Sequence, residues 1–319
     1  MLQRFLGLIL ISVSLLWSAS YPQDLASHFQ DKDHDLIADT PTNPQKWIDP
    51  PVLRFSYAPH DDPDLYAKIW KDFITYLSKK TGKRVVYFPY RTNTAQLEAM
   101  RYGKLHISGF NTGLVPTAVH YAGFVPVAMM TDAKGAYGYR MLFITKAKGG
   151  IKKIEEIKGK TIAFTTPSSN SGCKAARFIL SSRFHLQPKS DYRVTFAGSH
   201  AKAIKGVVKG KYPLAAVASS VLQRMITLGE IDPGAVRILY RSERFPTTAY
   251  GYLYNLKPTL AQKIKDAFFT FPWYKQDTKE KSSLKKAFKE QEKFSPINYQ
   301  KMWQHIREIE AYDRAFLGR

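Results

Sequence analysis

The chain has 319 residues, 44% of them hydrophobic, a single cysteine and a formal net charge of +22. Its length and apolar content suit two ordinary folded domains and exclude a disordered chain, and one cysteine excludes an internal disulfide. Lys and Arg are spread along the chain with no nucleic-acid module, so the excess reads as a general positive potential that draws in small anions.

In chain order, Arg4, the apolar run Phe5 to Trp17 and the small residues Ser18-Ala19-Ser20 have the layout of an export signal cleaved near Ser20. The run is too short to span a bilayer, and an uncleaved anchor helix is the alternative. No cysteine stands at the cleavage region, so lipid attachment is not supported, and a periplasmic or similarly exported protein is expected. Residues 21–51 then form an acidic, Pro-rich leader. Asp31, Asp33, Asp35 and Asp39 have the spacing of a calcium loop, in which alternate carboxylates of a curled backbone converge on one hard cation. Leu36 stands where the turn glycine belongs, and Thr42 where the closing Glu belongs. Both a weakly held structural calcium and a flexible acidic leader fit this pattern. Pro41, Pro44, Pro50 and Pro51 make a linker.

From Val52 strand and helix patterns alternate. Val52 to Tyr57 reads as a strand, a helical face of Leu65, Ile69, Phe73 and Leu77 stops at Gly82, and Val85 to Phe88 is extended again. Asn93-Thr94 can cap a helix that ends at Gly103, Leu105 to Phe110 is a strand, and a short helix near Val115 precedes the apolar strand Val125 to Met130. Such βαβ units predict an α/β fold with mostly parallel sheets flanked by helices. A second set begins after the extended run Tyr139 to Thr145, with strands at Thr161, Val194 and Leu214, and the chain returns through Val236 to Tyr240 and Ala249 to Tyr254. Helical patterns at Leu260 to Phe268 and Trp303 to Phe316 close it. The expected division is lobe one from residues 52–142 and 249–319, and lobe two from residues 143–248.

Ligands in open parallel sheets sit beyond the carboxyl ends of the strands, and hydroxyl-rich turns fall there repeatedly: Asn93-Thr94, Asn111-Thr112, Ser168 to Ser171, Ser199-His200 and Ser219-Ser220. Two facing sets of strand ends would enclose a small polar guest. The turn of Ser168, Ser169, Asn170 and Ser171 lies between a strand and a helix start, where unpaired N–H groups and the helix dipole favour an anion. One of these serines could instead simply cap the helix. His200 could donate to an anion or cap its own helix, and Cys173 could be a ligand group or an inert packed thiol. Gly-x-Ser-x-Gly, His-Glu-x-x-His and Cys-x-x-Cys are all absent, so no enzyme motif supplies a nucleophile and base.

Taken together, Gly109-Phe110-Asn111-Thr112-Gly113, Ala122 to Pro126, Pro167 to Gly172, Gly198-Ser199-His200 and Pro246 to Gly251 resemble the periplasmic phosphate, phosphite and phosphonate-binding proteins of ABC transporters, a branch of the type II periplasmic binding proteins. The resemblance implies a two-lobe clamshell without enzymatic activity or a cofactor. The serine turn and His200 would hold the head group, Tyr57 with Phe110 or Asn111 would close from the other lobe, and Thr112, Ser219, Thr247 and Thr248 would complete the ligand set. Ala218 takes the place of a family Asp that would suit a ligand amine, which favours a bare oxyanion such as phosphite or phosphate. Phe110 replaces a frequent tyrosine. The partner would be a membrane permease; a histidine kinase served by a sensory binding protein is the alternative, and an enzyme acting on a phosphorylated substrate a more distant one.

Overall fold

The computed structural model describes residues 25–58, 63–148, 150–274 and 278–317, so the expected export signal lies outside the described residues. Two mixed sheets organise the chain. The first contains β1 (Val52–Tyr57), β2 (Arg84–Tyr87), β3 (Ile107–Phe110), β4 (Phe124–Thr131), β10 (Ala249–Leu253) and β11 (Lys293–Pro296), in the order β11-β4-β10-β3-β1-β2. The second contains β5 (Tyr139–Lys146), β6 (Thr161–Phe164), β7 (Arg193–Phe196), β8 (Leu214–Ala218) and β9 (Val236–Phe245), in the order β7-β6-β8-β5-β9. β2-β1-β3 and β7-β6-β8 are parallel, as βαβ crossovers require; β10, β11, β5 and β9 run antiparallel to their neighbours because they carry the chain between lobes or back to an edge.

The helices are α1 (Pro63–Thr81), α2 (Asn93–Arg101), α3 (Val115–Ala122), α4 (Ala175–Phe184), α5 (His200–Val208), α6 (Ser219–Thr227), α7 (Pro258–Thr270), α8 (Ser283–Ala287), α9 (Tyr299–Met302) and α10 (Gln304–Leu317). In α1 the buried stripe is Trp70, Phe73 and Leu77, one turn removed from Leu65, which is 48% exposed. Trp70 and Phe73 meet Phe55 at ring separations of 4.7 and 5.8 Å, and Phe268 and Phe294 extend this aromatic core across the sheet. Thr92, rather than Asn93, caps α2 by accepting the Ala95 amide.

Two boundaries differ from expectation. All of β5 pairs with β8 and β9, so the chain leaves the first sheet between Thr131 and Tyr139, before the expected point at 142. The C-terminal helix α10 does not belong to lobe one alone: it packs on α3 and also on α4 and the turn before it. Two short elements, α8 and β11, carried too little periodicity to stand out. From Leu25 onward the leader is docked on the first lobe, the Ala26 amide donating to His120 O at 3.3 Å and the Ile48 backbone paired to Leu256 and Asn255.

Candidate ligand site at the seam between the lobes

β6 ends at Phe164, and the chain then turns tightly: the Thr165 amide donates to Gly172 O at 2.9 Å and the Ser169 amide to Thr166 O at 3.1 Å. A π-helical turn, Asn170–Lys174, leads directly into α4. Ser169 does cap this turn, its Oγ accepting the Gly172 amide at 3.0 Å, so capping and a place at the site are compatible. Gly172 is needed because an added Cβ would overlap Thr165 Oγ1.

This turn faces the first lobe. Asn93 Nδ2 donates to Ser168 Oγ at 2.7 Å, and Asn111 Nδ2 in turn donates to Asn93 Oδ1 at 3.3 Å, a relay of amides across the seam. Gly113 lies against the turn so closely that a Cβ there would stand 2.9 Å from both Asn170 N and Ser168 O. Asn170 Nδ2 donates to Tyr139 Oη at 3.4 Å, and that hydroxyl also bonds with Thr112 and Ser171. Thr112 Oγ1 donates to Pro246 O on the returning crossover at 2.8 Å.

His200 opens α5 without capping it; Ser199 does that, accepting the Lys202 amide at 3.2 Å. The Ala218 amide donates to His200 Nδ1 at 3.1 Å, which assigns the proton to Nε2, and Nε2 faces Ser169 Oγ at 3.5 Å. Burial, with Arg224 nearby, pushes the imidazole down to about 4, so it meets the turn as a neutral donor. Burial raises the Tyr139 hydroxyl above its ordinary range as well. Three buried polar atoms at this seam, Thr165 Oγ1, Asn170 Oδ1 and Thr247 Oγ1, have no hydrogen-bond partner among the described residues.

Other sequence-derived residues are placed differently. Phe110 is a correction: it is fully buried and packs edge-on against Phe124 at 4.9 Å, because β3 is a central strand covered on both faces. Tyr57 forms an aromatic wall with Tyr66, Trp70 and Tyr250, and its hydroxyl bonds with Thr248. Ser219 Oγ accepts the Arg140 amide at 2.9 Å, which ties α6 to β5. Cys173 is an inert buried thiol, pushed up to about 11 by burial, with Arg177 donating to its sulfur. Sequence reasoning did not select Tyr139, and it placed Asn93 and Gly113 in strand-end turns without giving either a ligand role. Tyr139 is the first residue of its strand after the crossover, the one signal that could have marked it.

In the leader the Asp31, Asp33 and Asp35 carboxylates lie within 4.8 Å of one another, while Asp39 is outside this group and accepts the Lys32 amide at 2.9 Å. Leu36 takes the left-handed conformation, φ 69°, that the turn glycine would have supplied. Elsewhere, Arg54, Arg84 and Lys104 line a groove at the opposite end of the first sheet's parallel strands, so positive charge is not concentrated at the seam.

Two open sheets joined by two crossovers, with hydroxyl and amide donors gathered between them, define a type II periplasmic binding protein. A family profile described as ABC transporter, phosphonate, periplasmic substrate-binding protein matches residues 55–302, and the chain belongs to that family. It is 22% identical to the phosphate-import protein PhnD of Mycolicibacterium smegmatis over 69% of this chain and 71% of the relative. The crystal structure of a binding protein component of an ABC phosphonate transporter from Pseudomonas aeruginosa is similar with a TM-score of 0.68 at 22% identity, covering 83% of this chain and 87% of that one. PhnD1 from Prochlorococcus marinus in complex with methylphosphonate gives 0.67 at 18% identity, covering 85% and 100%. At these identities the structural likenesses establish the fold. No helix among the described residues is long and apolar enough to cross a membrane.

Proposed function

We propose that the protein captures a small tetrahedral oxyanion, phosphite, phosphate or a small phosphonate, between its lobes and delivers it to an ABC permease. The observation that carries this reading is the set of unpartnered polar atoms at Thr165, Asn170 and Thr247, buried where the two lobes meet. An unmade buried hydrogen bond costs about 1–3 kcal/mol, and a polar guest at the seam would complete these three; other such atoms among the described residues, Trp70 Nε1 and Tyr192 Oη for example, lie in the packed core. Ser168, Ser169, Ser171, His200 and the first amides of the helical turn are the donors, with Tyr139 on the same lobe; Thr112, Asn111 and Asn93 set the opposing face, with Tyr57, Thr247 and Thr248 beside it. Ala218 leaves strand β8 without an acid to meet a ligand amine. The names of the relatives, a phosphate importer and a methylphosphonate complex, agree with this ligand class.

Binding rather than turnover is favoured by His200. A serine-activating base needs a bare Nε2, whereas here the Ala218 amide occupies Nδ1 and puts the proton on Nε2. The first twenty residues are read as a cleaved export signal. A structural calcium held by Asp31, Asp33 and Asp35 is a separate proposal for the leader.

Calorimetry with phosphite, phosphate, methylphosphonate, sulfate and arsenite tests the reading. Ser169→Ala and His200→Ala are each expected to weaken binding at least severalfold while thermal unfolding stays cooperative. Unchanged affinity in both would remove the site.

A further inference from the structure

We propose that the seam selects the protonated, singly charged form of its tetrahedral guest, with Asn170 Oδ1 accepting the guest's own hydroxyl. This rests on the oxyanion reading above and follows from which groups can give and which can take.

Ser169 Oγ accepts the Gly172 amide and faces the proton of His200 Nε2, so its own proton is turned elsewhere. Ser168 Oγ accepts from Asn93 Nδ2 and is left in the same position. These groups all offer hydrogens, which suits the bare oxygens of an oxyanion. Asn170 Oδ1 is different. An amide oxygen can only accept; the residue is 3% exposed, its Nδ2 is engaged by Tyr139 Oη, and Oδ1 has no partner among the described residues. A fully deprotonated guest would set lone pairs against it, whereas a guest bearing one hydroxyl supplies the matching donor.

Charge points the same way. The turn's own ammonium, Lys174 Nζ, is committed to Glu310 and to Gly113 O. Arg140 Nη1 donates to Ser242 O. The helix terminus supplies the equivalent of about half a positive charge, which offsets part of one negative charge and a still smaller share of two.

The titratable and charged groups around the turn are Cys173 and Lys174 on it, Tyr139 and Arg140 on β5, His200 and Lys202 on α5, Arg224 on α6 and Glu310 on α10. Burial holds the His200 imidazole down to about 4 and the Cys173 thiol up to about 11, and raises Tyr139. Burial opposes ionisation of Glu310, but Lys174 and Arg314 outweigh it and keep the carboxyl below its usual range. Near neutral pH the guest is therefore the group that changes charge.

The test compares methylphosphonate with methanesulfonate on the intact mature protein by calorimetry. Near pH 5.5 both guests are singly charged and of one shape, and only methylphosphonate carries a hydroxyl; it is expected to bind at least about tenfold more tightly, a difference of about 1.4 kcal/mol. Methylphosphonate affinity, counted on total ligand, should then fall about tenfold per pH unit above its second ionisation. Asn170→Leu should bring the two guests to similar affinity. Equal binding of the two by the native protein, or methylphosphonate affinity that holds or rises with pH, would overturn the proposal and turn the Asn170 amide around. If no oxyanion binds at any pH, it is the oxyanion reading itself that fails.

Discussion

Lys174 and Glu310 form a buried ion pair that joins the serine turn of the second lobe to the C-terminal helix, and the same ammonium donates to Gly113 O of the first lobe at 3.0 Å. Arg177 and Asp313, one turn along on each helix, repeat the contact at 2.6 Å. Glu310→Ala leaves the Lys174 charge buried without its carboxylate, so a loss of about 3–5 kcal/mol in urea unfolding is expected. Lys174→Met combined with Glu310→Leu should recover most of that loss, because two desolvated charges are then replaced by apolar volume. Equal losses in the single and double variants would show that the pair contributes packing alone.

Gly113→Ala places a methyl carbon against backbone atoms, Asn170 N and Ser168 O, which cannot move aside as a side-chain tip could. The variant is expected to resist closure. Affinity for the preferred oxyanion should fall about tenfold or more, a cost of about 1.4 kcal/mol or above, while each lobe keeps its own fold. Small-angle scattering should show no ligand-induced compaction.

Acid should destabilise the protein through its neutral, buried histidines. In the folded state burial depresses His200 from 6.5 to about 4, and His106 to about 4 as well. Between those values the unfolded chain binds the extra protons. Stability is therefore complete above pH 6.5 and is lost as pH falls through about 4. For His200 the displacement corresponds to about 3 kcal/mol. Thermal melts from pH 7.5 down to pH 4 should show this decline, and His200→Gln should make it shallower.

Calcium is expected to raise the melting temperature by a few degrees through the leader, an effect that Asp31→Asn with Asp33→Asn should abolish. Because Gln300 donates to His34 O at 3.1 Å, leader and body should melt together. A chelator that leaves the melt of the untreated protein and the calcium-treated protein alike would dismiss the cation.

Most strands were legible because apolar runs of four to eight residues end at Gly, Pro or hydroxyl clusters, and the hydroxyl clusters proved to sit at strand ends. The serine turn and His200 were legible for the same reason. Phe110 was misplaced because a central strand buries both faces, so position at a strand end does not tell which side chain leaves the sheet. β11 was illegible: Lys293-Phe294-Ser295-Pro296 has one apolar residue and pairs only by reaching the edge of β4. The seam depends on matched charges three residues apart on two helices, Lys174 with Arg177 and Glu310 with Asp313. Their pairing across 136 positions is a fact of tertiary contact that no local pattern carries.

β10 lies between β4 and β3, yet the chain reaches it only after the whole second lobe has been made. A growing polypeptide therefore lacks the strand that unites the two parts of its first sheet, and it lacks α10 until almost its last residue. The first sheet cannot close until β10 is made, whereas every strand of the second is present by Phe245. The two parts of the first lobe are thus united only after the second lobe's strands have all been supplied.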